Sequence, residues 1–163
     1  MIIRITTKLG KKIGFTPSQI LPLDENPFTD WTADLFRADR TQYIILTNTV
    51  SLYSIVLYGR GITDDSIFLQ RATSNLIDNL GYDGFGFIAE RIIAQNTFKI
   101  SFSKSLNRAV TGSMNEIIFQ AMYYLEDEDT SPFSLCQKLN NVPLSYIDYK
   151  SPKEAFSKLK IAQ

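Results

Sequence analysis

Apolar and polar positions alternate with two periods along the chain, and the strand period dominates between residues 31 and 59. Trp31, Ala33 and Leu35 alternate with Thr32, Asp34 and Phe36, which predicts an extended segment, and Ala38-Asp39-Arg40 predicts the turn that ends it. Residues 42–47 are apolar on both sides, Tyr43 and Ile45 on one and Ile44 and Leu46 on the other, the pattern of an interior strand covered twice. After a turn at Asn48-Thr49, residues 51–58 form the next strand, closed by Gly59-Arg60-Gly61. The stretch therefore reads as an antiparallel meander.

Other elements gather around it. The β-branched start, residues 1–6, predicts a strand, and residues 8–13 a short helix with Leu9 and Ile13 inward and Lys8, Lys11 and Lys12 solvated. Residues 14–28 hold Pro17, Pro22 and Pro27, and the last of these disfavours helical geometry at Asn26. This loop is expected to pack over a sheet edge or wall a pocket, anchored by Phe15, Ile20, Leu21 and Leu23. Asp64, Asp65 and Ser66 are N-cap candidates for a helix over 66–80, with Leu69, Ala72, Leu76 and Leu80 inward and Gly81 as its left-handed cap. The glycines at 84 and 86 follow a helix rather than a strand, which sets aside a dinucleotide loop and leaves a short helix over 87–95. Residues 97–102 predict a strand with Phe98, Ile100 and Phe102 inward.

Ser113 and Glu116 have the spacing of a capping box and predict a helix over 113–126 striped by Met114, Ile117, Ile118, Ala121, Met122 and Leu125. The acidic run 126–129 lacks the ligand order and glycine of a calcium loop and reads as a solvated helix end. Ser131-Pro132 opens a short helix to Leu139, and Cys136 within it packs as a small apolar residue. A short strand is predicted over 144–147. Ser151 and Glu154 frame a final helix with Ala155, Phe156 and Leu159 inward.

The fold class that follows is α+β: an antiparallel or mixed sheet of about four to six strands with helices packed on it, in one globular domain over 1–163. Charge adds little, because 17 Lys and Arg balance 17 Asp and Glu. No global field attracts nucleic acid or an anionic membrane, so such binding needs a local patch. The chain has no histidine and one cysteine. Histidine-based triads, cysteine–histidine catalysis, histidine or cysteine-rich metal sites and an internal disulfide are thereby removed. No apolar run approaches the ~20 residues of a membrane span, and the N-terminus lacks the order of a secretory signal, so a cytoplasmic setting is expected. No cofactor or metal motif is present.

Polar residues that neither periodicity nor capping accounts for fall into two clusters. One comprises Trp31, Asp34, Arg37, Asp39, Arg40 and Asn48; the other is Asn107, Arg108 and the start of the helix at Gly112-Ser113. Arg108 and free N–H groups near Ser113 would suit an anion, joined by Arg37 or Arg40 if the fold brings them together. The competing reading pairs Arg40 and Arg108 with Asp34, Asp39 or Glu116 and uses the asparagines in turns. A carboxylate-held metal site would have to draw on Asp34, Asp39, Glu90 and Glu116. Trp31, Phe36, Tyr43, Tyr53 and Tyr58 are core residues or stacking surfaces.

The segments D-W-T-A-D-L-F at 30–36, D-R-T-Q-Y-I-I-L-T-N at 39–48, S-L-Y-S-I-V at 51–56 and N-R-A-V-T-G-S-M-N-E at 107–116 carry a resemblance. The chain resembles a prokaryotic family of small uncharacterised proteins, a domain of unknown function. The resemblance spans nearly the whole chain and implies that the two polar clusters belong to one pattern, but it brings no activity. The functional expectation is a non-enzymatic binding or regulatory module, acting on a protein partner or by self-association. The alternative is a nucleic-acid-binding or phosphate-ester-cleaving protein using Arg37, Arg40 and Arg108.

Overall fold

The computed structural model describes residues 1–127 and 130–162. The core is a five-stranded mixed sheet in the order β4-β3-β2-β1-β5. The strands are β1 (Ile2–Ile5), β2 (Asp30–Ala38), β3 (Thr41–Asn48), β4 (Ser54–Tyr58) and β5 (Ser101–Ser103). β1 runs parallel to both neighbours, β2 and β5, while β2, β3 and β4 form the predicted antiparallel meander. The α+β expectation is met, with a mixed sheet inside the expected strand range. No helix among the described residues is long and apolar enough to cross a membrane.

Side-chain parity divides the sheet into two faces. Ile3, Trp31 and Phe102 share one register row, and Phe68 of α2 (Asp65–Tyr82) stacks on Phe102, so α2 covers this first face. The opposite face has a polar row that crosses all five strands. Ser103, Arg4, Thr32, Thr47 and Ser54 stand side by side, each almost fully buried. Every one is hydrogen-bonded, as buried polar groups must be. Arg4 donates Nε and Nη2 to the two carboxylate oxygens of Asp30 at 2.8 and 2.7 Å, and its Nη1 and Nη2 also donate to the carbonyls of Leu21 and Pro22. Thr49 donates to Asp30 at 2.7 Å, so its single proton is committed and Thr32 must donate to Thr49 across 3.0 Å.

This row changes the account of the proline loop. Ile20 and Leu23, expected as apolar anchors, are exposed, and the loop is instead held by polar bonds to Arg4 and Ser103. Asn26 is extended before Pro27 as expected, and a 3-10 turn, Pro27–Thr29, leads into β2.

The exposed edge of the meander is closed by α6 (Pro132–Leu139) and its C-cap. Ser54 donates its N–H to Asn140 Oδ1 and receives Asn140 Nδ2 on its carbonyl, both at 2.8 Å, so one side chain acts as an extra strand residue. Two residues on, the Val56 N–H donates to Cys136 Sγ at 3.1 Å. An edge that could pair with another chain is thereby blunted.

Several sequence-based boundaries move. β4 begins at Ser54 rather than 51, because Asn48 Oδ1 accepts from Val50 N, Ser51 N and Ser51 Oγ and folds the preceding residues into a turn, with Leu52 at φ 62°. α2 does not stop at Gly81: it continues to Tyr82, its cap is Asp83, and the left-handed glycine is Gly84 at φ 88°. Its buried stripe uses Phe68 ahead of Leu69, which is partly buried. The short helix after it consists of α3 (Gly86–Ile88), a π-helical turn (Ala89–Ile93) and α4 (Ala94–Asn96). β5 is limited to three residues because Phe98 lies beyond the last row of β1, and that ring is 90% exposed.

The largest shift concerns α5, which spans Arg108–Asp127. Asn107 Oδ1 accepts from Val110 N at 3.0 Å and opens the helix, so Ser113 sits inside it and bonds back to the Ala109 carbonyl. The Ser113–Glu116 capping box does not form; an equally good cap upstream adds a turn that buries Val110. Residues 144–147 give a 3-10 turn (Ser145–Ile147) rather than a strand. Glu128 and Asp129 of the acidic run lie outside the described residues. α7 (Pro152–Ser157) forms as expected with Ser151 as its cap.

Candidate functional site

The residues singled out by sequence divide by what the fold does with them. Trp31 is fully buried, its indole N–H donating to the Phe28 carbonyl at 2.8 Å. Asn48 is buried and organises the β3–β4 turn, while Asp34 accepts from Thr6 Oγ1 at 2.6 Å and from Leu35 N. Their hydrogen bonds are taken up by scaffold.

Arg37, Asp39 and Arg40 are different. All three are exposed at the tip of the β2–β3 hairpin. Asp39 and Arg40 form its two-residue turn with φ 46° and 64°, the left-handed pair that a tight hairpin turn requires. Arg37 stands opposite Gln42. On the next strand the chain returns to the same place, since Gly59 N donates to the Gln42 carbonyl at 2.8 Å, and Arg60 follows at once. A Cβ on Gly59 would stand 3.2 Å from Gln42 O and 3.3 Å from Gln42 Cγ, a tight fit where the β4 end closes on β3. The Arg60 carbonyl is pinned by Arg71 Nη1 at 2.7 Å.

Together Arg37, Arg40, Thr41, Gln42, Tyr58 and Arg60 line an open basin of about 720 Å³. Three arginines from three segments line it, and because Arg37 and Gln42 share the first face of the sheet while Tyr58 stands on the second, the basin wraps the end of the hairpin. No described carboxylate lies within ion-pairing distance of any of the three arginines. Like charges so grouped raise a local positive potential even in a chain of zero formal charge. Tyr58 is among the residues that line the basin. It is 52% exposed and ends an aromatic ladder across the meander, 5.4 Å from Tyr43, which is 5.5 Å from Phe36.

Arg108 does not join this basin. Leu125, near the other end of α5, lines the neighbouring concavity with Asp39, Tyr43 and Tyr58. Arg108 is nearly five helical turns before it, about 25 Å along the axis, beyond the reach of an arginine side chain. Ser113 and Asn107 are likewise committed to the helix. The pairings of Arg40 or Arg108 with Asp34, Asp39 or Glu116 are not among the ion pairs of the described residues.

Sequence reading missed Arg60 and gave Tyr58 only a general stacking role. The signal was available in the meander register: a strand antiparallel to β3 must bring the residues after Tyr58 beside Gln42. Chemically the basin supplies cations, amide and hydroxyl groups and one aromatic face, with no carboxylate or thiol in its lining. Among the described residues no three His, Cys, Asp or Glu side chains gather where they could hold a metal ion, so Asp34, Asp39, Glu90 and Glu116 do not assemble.

The chain belongs to the family described as Domain of unknown function (DUF6933), whose model matches residues 2–155. Comparison with curated proteins and with solved structures gives no match.

Proposed function

We propose that this protein is a non-enzymatic binding module that holds single-stranded nucleic acid at the hairpin-tip basin. Arg37, Arg40 and Arg60 would take backbone phosphates, and the half-exposed Tyr58 ring would take a base face. The observation that carries this reading is one open basin lined both by three arginines without a described carboxylate partner and by an exposed aromatic residue. Binding is favoured over ester cleavage because nothing in the lining is a ready general base.

The test is fluorescence anisotropy with labelled single-stranded RNA and DNA over a salt series. Three phosphate contacts predict a log–log salt slope of about −2, and each Arg→Gln change at 37, 40 or 60 should shrink it by about 0.7. Tyr58→Ala should weaken binding with the slope unchanged. Absence of binding at low salt with micromolar protein would sink the proposal.

A second reading rests on a different observation. Phe119 and Tyr123, four residues apart on α5, are 76% and 59% exposed, and large exposed aromatics so spaced favour a protein partner or self-association. Sedimentation across a concentration series tests the self-association arm: a mass that stays monomeric throughout removes it.

A further inference from the structure

A second concavity, of about 570 Å³, lies at the other end of α5, where the chain leaves β1 and β5. These parallel strands end side by side, Ile5 on one and Ser103 on the other, and their continuations part to opposite faces. After β1 comes α1 (Thr7–Ile13), and Phe15 just beyond it packs 4.6 Å from Phe102, on the first face. After β5 the chain enters α5, whose Leu125 sits with Tyr43 and Tyr58 on the second. Divergence of two connections at the carboxyl ends of adjacent parallel strands opens a crevice, the place where open α/β sheets hold their ligands.

The crevice is built rather than incidental. Phe15 N donates to the Gly10 carbonyl at 3.0 Å, and a Cβ on Gly10 would meet Phe15 O at 2.6 Å, so the wall closes only over glycine. Lys104 N donates to the Gln19 carbonyl and ties the far wall to the proline loop. Lining the space are Ile5 and Phe15 on the apolar side, with Thr7, Lys11, Lys104 and Ser105 on the polar side. No carboxylate lines it, and neither lysine is ion-paired with a described residue.

The geometry points to a binding site for a small organic anion, its charged group between Lys11 and Lys104 and its apolar body against Ile5 and Phe15. Hydroxyls of Thr7 and Ser105 supply donors for the remaining anion oxygens. A carboxylate and a phosphate monoester share this chemistry. The site is independent of the hairpin-tip basin, which has its own cations.

The experiment is a titration of the isotope-labelled 163-residue chain with phenyl phosphate, benzoate and inorganic phosphate, followed by amide chemical shifts. Both aromatic anions are expected to move Thr7, Lys11, Lys104 and Ser105, and the tighter of the two identifies the headgroup. The exposed pair Lys11→Gln with Lys104→Gln should keep a native spectrum and bind about a hundredfold more weakly, the scale of two lost charge-assisted contacts. The same double variant should leave oligonucleotide affinity at the basin unchanged. The inference fails if no amide at these positions moves, if the double variant binds equally well, or if inorganic phosphate matches phenyl phosphate in affinity.

Discussion

Arg4 and Asp30 form a two-pronged ion pair at 2.8 and 2.7 Å with neither side chain exposed to solvent, across the β1–β2 step of the sheet. Such a pair is held by what surrounds it. Asp30 also accepts from Asp24 N and Thr49 Oγ1, and the remaining Arg4 donors meet Leu21, Pro22 and Ser103. Removing one partner strands a buried charge, so Arg4→Ala or Asp30→Ala should destabilise by about 3–5 kcal/mol, measured by urea unfolding. The proline loop is bonded to this pair, so protease cleavage near residues 19–24 should rise in both variants well before global unfolding.

The Asn140 amide pairs with both backbone groups of Ser54 at 2.8 Å. Asn140→Ala leaves a buried N–H and C=O without partners and should cost about 2–4 kcal/mol, from two lost bonds at the penalty of an unsatisfied buried group. It also uncovers the β4 edge, so the variant should gain a concentration-dependent light-scattering signal on warming. Unchanged stability and no added scattering would contradict the edge-closing role.

Burial pushes the Cys136 thiol up to about 12 from an ordinary 9.0. The folded state therefore keeps a proton that the unfolded chain releases above pH 9.0. The stabilisation is complete below that value and drains away as pH rises toward 12, by up to about 1.4 kcal/mol per unit. Burial also raises the Tyr53 phenol, whose ordinary value is 10.0, so between 9.0 and 10.0 the loss belongs chiefly to Cys136. Cys136→Ala should flatten the fall in unfolding free energy across that window. Native protein should resist thiol reagents that label the urea-unfolded chain rapidly.

α7 has six residues, too few to persist on helix propensity alone. What docks it is Phe156, fully buried with its ring centroid 5.3, 6.2, 5.0 and 5.0 Å from Phe28, Trp31, Tyr53 and Phe85. Lys153 adds an ion pair at 3.1 Å to Asp83, which also accepts from Tyr53 at 2.5 Å. Phe156→Ala should cost about 3–5 kcal/mol by thermal or urea unfolding. Lys153→Met leaves the buried Asp83 carboxylate with Tyr53 as its remaining side-chain partner and should destabilise as well, whereas an unchanged stability in Phe156→Ala would refute this account of docking.

What the sequence determined by itself is the local inventory. The meander, the first strand and helix, α2, α6 and α7 follow from apolar period, proline placement and caps, because those signals are short-range and act within one turn or one strand. Capping failed where two caps competed: Asn107 and Ser113 lie six positions apart, and only burial of Val110 against the fold selects the earlier start. Tertiary structure decided everything that depends on which strands are neighbours. Parallel pairing of β1 with both β2 and β5 lined up Ser103, Arg4, Thr32, Thr47 and Ser54, residues that look unremarkable at separations of up to 99 positions. The same pairing parted Arg108 from Arg37 and Arg40 and set Lys104 beside Lys11, while the β3–β4 register carried Arg60 to the hairpin tip. Charges read along a chain have no address; sheet register supplies it, because hydrogen-bonded strands fix which side chains share a row and which end of the sheet they reach.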